Sequence, residues 1–231
     1  MKIAVLGGSF NPVHIGHLSL ADAVCNEFGY DKVLFIPTAT PPHKKMAHDF
    51  ASAEDRFSML KAALADDSRF VADRCELDRG GISYTYDTLL ELENRYKDEL
   101  TGKIGFIMGS DLIAGFHLWH KAEKIAEIAD LILASRKTSS INNAFSQARE
   151  KNTPIGDYGK YENLSDEERE ECRQTFSYPH ILLKTPLLPV SSTDIRIGVR
   201  NKGCFRYLVP NGVYWYIIKN KLYSVENENG L

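Results

Sequence analysis

The residues best equipped for chemistry crowd into one stretch, Gly7-Gly8-Ser9-Phe10-Asn11-Pro12-Val13-His14-Ile15-Gly16-His17. Gly7 and Gly8 allow a backbone to approach a ligand closely and to adopt positive φ. Ser9 and neighbouring backbone N–H groups could then cradle a phosphate at the start of a following helix, where the helix dipole favours an anion. His14 and His17 stand three apart and project to one side of a first helical turn. The stretch is neither GxGxxG nor a P-loop, since no Gly-Lys-Ser/Thr follows. Two histidines beside a turn can simply cap and pack, and HxxH alone says little. The full spacing GGSFxPxHxGH says far more.

A second group lies near the other end, at Ser191-Ser192-Thr193-Asp194-Ile195-Arg196. Hydroxyls and amides at a helix start, with a guanidinium one turn later, make a phosphate clamp. Taken alone the same residues read first as an ordinary capping box. Between the two groups lie Pro41-Pro42-His43-Lys44, Ser83-Tyr84-Thr85-Tyr86-Asp87-Thr88-Leu89, Gly109-Ser110-Asp111 and Leu118-Trp119-His120. His117 and His120 repeat the HxxH spacing. Without nearby Cys or carboxylate ligands, they read as surface or packing groups ahead of a structural metal site. Trp119 is either core or a stacking wall for an aromatic ring. Tyr214, Trp215 and Tyr216 read as packing of a last helix.

Short apolar runs must position these groups. Lys2–Gly7, Lys32–Pro37, Arg69–Ala72, Lys103–Gly109, Asp130–Ser135 and His180–Lys184 are candidate strands. Their hydrophobicity barely alternates, which predicts strands covered on both faces, as in a parallel sheet. Gly16–Phe28, Ala53–Ala65 and Thr85–Leu100 read as helices, the second with Phe57, Leu60, Ala63 and Leu64 on one side. Alternating elements predict an α/β doubly wound, mostly parallel Rossmann-like sheet, with ligands at the carboxyl ends of its strands. A helix N-cap signal at Ser191 and a last helix starting at Pro210 complete the chain. We expect one α/β domain over 1–190 and a C-terminal helical extension of it over 191–231. Within the first, 137–180 is polar and weakly periodic, an exposed insertion with a short solvated helix at Asp166–Glu171, or alternatively a mobile lid.

Composition bounds the function. The 231 residues carry 28 basic and 31 acidic side chains, a net charge of −3, with 43% hydrophobic residues. That leaves no cationic domain for a nucleic-acid backbone. No apolar run approaches the ~18 residues of a membrane span. No signal-peptide pattern follows Met1. Four cysteines, Cys25, Cys75, Cys172 and Cys204, are scattered without CxxC, as expected of reduced thiols in a cytoplasmic protein.

His14-Ile15-Gly16-His17 after a first strand, with Ser191-Ser192-Thr193-x-x-Arg196, resembles the HxGH nucleotidyltransferase superfamily. The segments around His43, Tyr84, Asp111 and Trp119, with Arg206-Tyr207-Leu208-Val209-Pro210, narrow the resemblance to the bacterial nicotinate-nucleotide adenylyltransferases. The likeness spans 1–136 and 181–223. Ser9 and Asn11 stand where Thr and Asp are more usual, and 137–180 is longer than expected. The resemblance implies transfer of the adenylyl group of ATP to nicotinate mononucleotide, giving deamido-NAD and pyrophosphate for NAD biosynthesis. An attacking phosphate is already anionic, so positioning and charge neutralisation suffice. By the same resemblance His14, His17 and Arg196 are catalytic. ATP falls to Gly7, Gly8, Ser9, Phe10, His14, His17, Gly109, Asp111, Ser191, Ser192, Thr193, Ile195 and Arg196. The mononucleotide falls to Ser9, Asn11, His43, Lys44, Tyr84, Thr85, Leu118, Trp119 and His120. Mg²⁺ should arrive on the ATP phosphates, with no metal site of the protein's own. The expected partners are these two substrates, with no nucleic acid or membrane and a homo-oligomer allowed.

The competing readings are another adenylyltransferase of the superfamily, acting on nicotinamide mononucleotide or phosphopantetheine, a phosphohydrolase using a metal on His14, His17, His117 and His120, and a non-catalytic nucleotide sensor. Tyr84-Thr85 and Leu118-Trp119-His120 offer neutral donors and no Lys or Arg. Such donors suit a carboxylate, which only accepts hydrogen bonds, so the acid is expected over its amide.

Overall fold

Six apolar runs become six parallel strands of one sheet. In the computed structural model, which describes residues 1–40, 50–109, 112–134, 176–185 and 188–224, these are β1 (Ile3–Gly8), β2 (Lys32–Pro37), β3 (Phe70–Ala72), β4 (Ile104–Gly109), β5 (Ala129–Ala134) and β6 (His180–Leu183). Their spatial order is β3-β2-β1-β4-β5-β6, and every pairing is parallel. The chain winds outward from β1 to β3 and then returns to the other side of β1. The order therefore reverses between β1 and β4, and a crevice opens at their carboxyl ends, where Gly8 and Gly109 sit.

The lack of alternation has the expected cause. Ala4 and Leu6 of β1 join Val33, Phe35, Ile107 and Ile132 in one core, while Ile3 and Val5 join Leu34, Ile36, Met108 and Leu131 in the other. Each fully buried aliphatic side chain contributes about 1.5–3 kcal/mol, so neither face tolerates polar positions. Helices α1 (Ile15–Phe28), α2 (Ala53–Leu64), α6 (Ser192–Arg200) and α7 (Asn211–Lys219) cover the first face. Helices α3 (Cys75–Arg79), α4 (Thr85–Tyr96) and α5 (Ala122–Ile128) cover the second. The sheet is doubly wound.

Several sequence-based boundaries move. Helix α4 ends at Tyr96 rather than Leu100, because Lys97 to Leu100 form a turn instead. Pro210 is the N-cap of α7, with ψ of 153°, and not a residue of its first turn. α3 and α5, of 5 and 7 residues, are too short to show a helical period and were not expected. Phe176 and Tyr178, placed by sequence in the polar insertion, pack against the second core beside β6. The rest of that insertion, from 137 to 175, with its acidic run, lies outside the described residues.

Candidate active site

The loop leaving β1 is held by side chains reaching in from two other parts of the chain. Arg56 of α2 donates from Nη1 to the Ser9 carbonyl at 2.9 Å. Arg196 of α6 donates from Nη1 to the Asn11 carbonyl at 2.9 Å, and the Ser192 hydroxyl donates to the Pro12 carbonyl at 2.8 Å. With these carbonyls engaged inside, the outward face of the loop presents exposed Ser9 and Gly7 to the crevice. The phosphate clamp expected at residues 191–196 is therefore physically joined to the glycine loop. Its first turn is also capped, since Ser191 Oγ accepts from the Asp194 N–H at 3.1 Å. The capping reading of that segment is the one the structure shows.

One expectation about the glycines fails. Gly7 and Gly8 end β1 in extended conformation, and the left-handed residue of the loop is Phe10, with φ of 45°. Gly8 and Gly16 are needed for space instead, whereas a Cβ on Gly7 would meet nothing within 4 Å. A Cβ on Gly8 would meet the Phe10 ring at 3.3 Å, and one on Gly16 would meet the His14 ring at 3.1 Å. The peptide between Asn11 and Pro12 is cis.

His14 is the N-cap of α1 and only 2% exposed, while His17 is half-buried in the first turn. Their rings stack at 3.7 Å between centroids, and the Phe10 ring meets His17 edge-on at 5.0 Å. The His14 N–H donates to His17 Nδ1 at 3.2 Å. That contact assigns the His17 proton to Nε2, making this nitrogen a hydrogen-bond donor. α1 is tied down at both ends. The Ile15 N–H donates to the Leu208 carbonyl, and Glu27 accepts the backbone N–H groups of Lys184 and Thr185 at 2.9 and 2.7 Å.

The second pair of segments also meets. Tyr84, N-cap of α4, lies against the exposed His120 ring at 4.6 Å. Trp119 packs on Phe106 and Phe116, and its buried Nε1–H has no acceptor among the described residues. Trp119 thus packs against the second core, one of its two sequence readings. Leu118 and His117 are exposed in the short 3₁₀ turn before it. Lys121, next after His120, holds its ammonium 4.3 Å from the Tyr86 ring, so a positive charge stands beside segments that lack one themselves. Asn11 departs from expectation: it is buried, and its side chain turns inward to accept from the Ala51 N–H and the Tyr223 hydroxyl. His43, Lys44, Ser110 and Asp111 lie outside the described residues.

Residues 5–198 match the family model described as Cytidylyltransferase-like. Over 223 residues the chain is 36% identical to a "Probable nicotinate-nucleotide adenylyltransferase" of Treponema pallidum, covering 96% of this chain and 99% of that one. A protein of the same description from Borreliella burgdorferi is 33% identical, with 96% and 97% covered. The chain belongs to the nicotinate-nucleotide adenylyltransferases of the cytidylyltransferase-like family. A solved nicotinic acid mononucleotide adenylyltransferase of Plasmodium falciparum, complexed with NaAD, shares the fold at a TM-score of 0.64 and 19% identity, covering 96% of this chain and 97% of that one.

Within this adenylyltransferase two buried charged groups went unremarked in the sequence. Arg56 is 1% exposed, lies 4.9 Å from the Phe50 ring, and is pushed below its usual pKa by burial. Glu76 of α3 accepts from the Thr88 hydroxyl at 2.7 Å, and that oxygen in turn accepts from Arg79 at 2.7 Å. Burial raises the Glu76 pKa, while hydrogen bonding from Ser83 and Thr88 opposes the rise. No motif marks either residue, and a lone charge on an amphipathic helix gives no signal of burial. Among the described residues no group of three or more His, Cys, Asp and Glu side chains could hold a metal. The donor set at the loop consists of imidazoles, hydroxyls, amides and a guanidinium, which fits phosphate oxygens, so a cation would have to be carried by them. No helix among the described residues is long and apolar enough to cross a membrane.

Proposed function

We infer that this nucleotidyltransferase joins ATP to nicotinate mononucleotide, releasing pyrophosphate and forming deamido-NAD. The observation that carries the reading is the junction of the two phosphate-binding segments, with Ser192 and Arg196 bonded to the carbonyls of the histidine-bearing loop. That junction gathers neutral and cationic donors at the point where strand order reverses.

In the proposed reaction the mononucleotide phosphate attacks the α-phosphorus of ATP in line, and the bond from that phosphorus to the oxygen of the leaving pyrophosphate breaks. Ser9, with backbone N–H groups of the loop, holds the mononucleotide phosphate. His17 donates from Nε2 to the α-phosphate, where negative charge develops, and His14 stacks behind it to fix the ring. Ser192 and Arg196 hold the distal phosphates of ATP, and Gly109, with Asp111 beyond it, borders the adenosine. Bound Mg²⁺ would neutralise phosphate charge while keeping several of its waters. The N-terminus of α4 at Tyr84-Thr85, with Trp119 and His120, receives the pyridine ring and its carboxylate. We place the reaction in the cytoplasm.

The test measures pyrophosphate release with ATP, Mg²⁺ and either nicotinate mononucleotide or its amide. Buried donors facing an amide NH₂ cost about 1–3 kcal/mol each, so two of them give on the order of 10²-fold preference for the acid in kcat/KM. Equal values would defeat the acid-selective reading and leave adenylyl transfer standing. ATP binding without pyrophosphate release would defeat both.

A further inference from the structure

The loop has a third anchor, which the reaction does not use. The Tyr223 hydroxyl donates to Asn11 Oδ1 at 2.8 Å, and the Ala51 N–H donates to the same oxygen at 3.0 Å. Asn11 is thus fixed through its acceptor side, and its Nδ2 has no partner among the described residues. Tyr223 is buried and adopts φ of 64°. A bulky aromatic side chain holds that left-handed conformation only where its surroundings over-determine it.

The surroundings do so through two helices packed together. α7 lies on α2, where the Tyr216 hydroxyl donates to Asp55 at 3.0 Å. Gly212 permits the approach, since a Cβ there would stand 2.9 Å from the Ala62 carbonyl oxygen. α2 carries Arg56, whose guanidinium reaches the Ser9 carbonyl, and the turn after α7 carries Tyr223. One rigid pair of helices therefore grips both Ser9 and Asn11 from within. A hydrogen bond from Arg56 and one from Tyr223 are two points of a single brace.

We propose that Tyr223 and Arg56 are positioning residues, which hold the Ser9–Asn11 loop in the conformation that receives the mononucleotide phosphate. The proposal rests on the reading of that loop given above. The hydroxyl of Tyr223 acts through Asn11, which it holds by a hydrogen bond. Its loss leaves the fold and the histidine pair in place while the loop relaxes.

The experiment compares Tyr223→Phe, Arg56→Lys and Ser9→Ala with the parent full-length chain, using steady-state kinetics and thermal unfolding. Losing one such hydrogen bond should raise KM for the mononucleotide about three- to tenfold, with kcat and KM for ATP within about twofold. Arg56→Lys keeps a charge but loses the planar fork, and should move the same constant in the same direction. Tyr223→Phe that lowers Tm without moving that KM overturns the brace and leaves a purely structural tyrosine. If Ser9→Ala raises the KM while Tyr223→Phe does not, the brace falls and the substrate reading stands. If none of the three variants moves it, both fall together.

Discussion

The two halves of the crevice are built to different standards. On the side of β1, the carbonyls of Ser9, Asn11 and Pro12 are each engaged by a side chain from α2 or α6. On the side of β4 the ring segments rest on aromatic contacts, with Tyr84 on exposed His120 and an indole N–H lacking an acceptor among the described residues. Phosphate is the same group in every nucleotide, so the first half can be fixed once. Under the proposed function the second half would choose among rings, with aromatic faces and unspent donors as the means of choosing. The proposed function thus divides rigidity and selectivity between neighbouring strands.

That division can be broken by experiment. His17→Ala should lower kcat by about 10²–10³ while the protein stays folded, since one donor to developing phosphate charge is typically worth that much. Near-normal turnover in a folded variant would remove the first half from the chemistry. Arg196→Lys comes next, with an expected rise of about tenfold in KM for ATP, because a point charge cannot replace a guanidinium fork that also holds Asn11. An unchanged ATP response would reduce Arg196 to a loop anchor.

Much of this was legible before any coordinates. Parallel strands follow from apolar runs such as Val33 to Ile36 that do not alternate, and the site loop follows from the glycines and histidines in fixed spacing. Residues whose role depends on distant contact were not legible. Arg56 sits in a helix beside Asp55 and Glu54, a pattern that reads as solvated surface, yet it is buried against Ser9 and Phe50. Asn11 resembles a ligand contact in sequence, and only the approach of Ala51 and Tyr223 turns it inward. The expected positive φ at Gly7 or Gly8 moved to Phe10, because parallel pairing with β2 extends to Gly8 and keeps both glycines in the strand.

The smallest expected effect concerns the second half. Glu76 lies under the first turn of α4, and burial raises its carboxyl pKa above the ordinary 4.5. A group whose folded pKa is raised contributes stability that is complete below its unfolded pKa and lost as pH rises through the folded one. Glu76→Gln removes that loss and keeps an acceptor for Thr88. Its Tm relative to the parent should therefore rise as pH increases above the ordinary 4.5. A pH-independent difference would show that the carboxyl does not titrate in this range, and that Thr88 and Arg79 alone anchor the ring segment.

The contact between Asn11 and Tyr223 spans 212 residues of sequence, and this bears on how the protein is made. Synthesis adds about 5–20 residues per second, so on the order of 10–40 s pass between the two residues leaving the ribosome's catalytic centre. During that interval β1 and its loop exist without their inner partner. The histidines are made well before the residue that completes the loop beside them. A chain that ends before Tyr223 would hold the histidine loop without this clasp, so under the proposed brace full affinity for the mononucleotide waits for that residue.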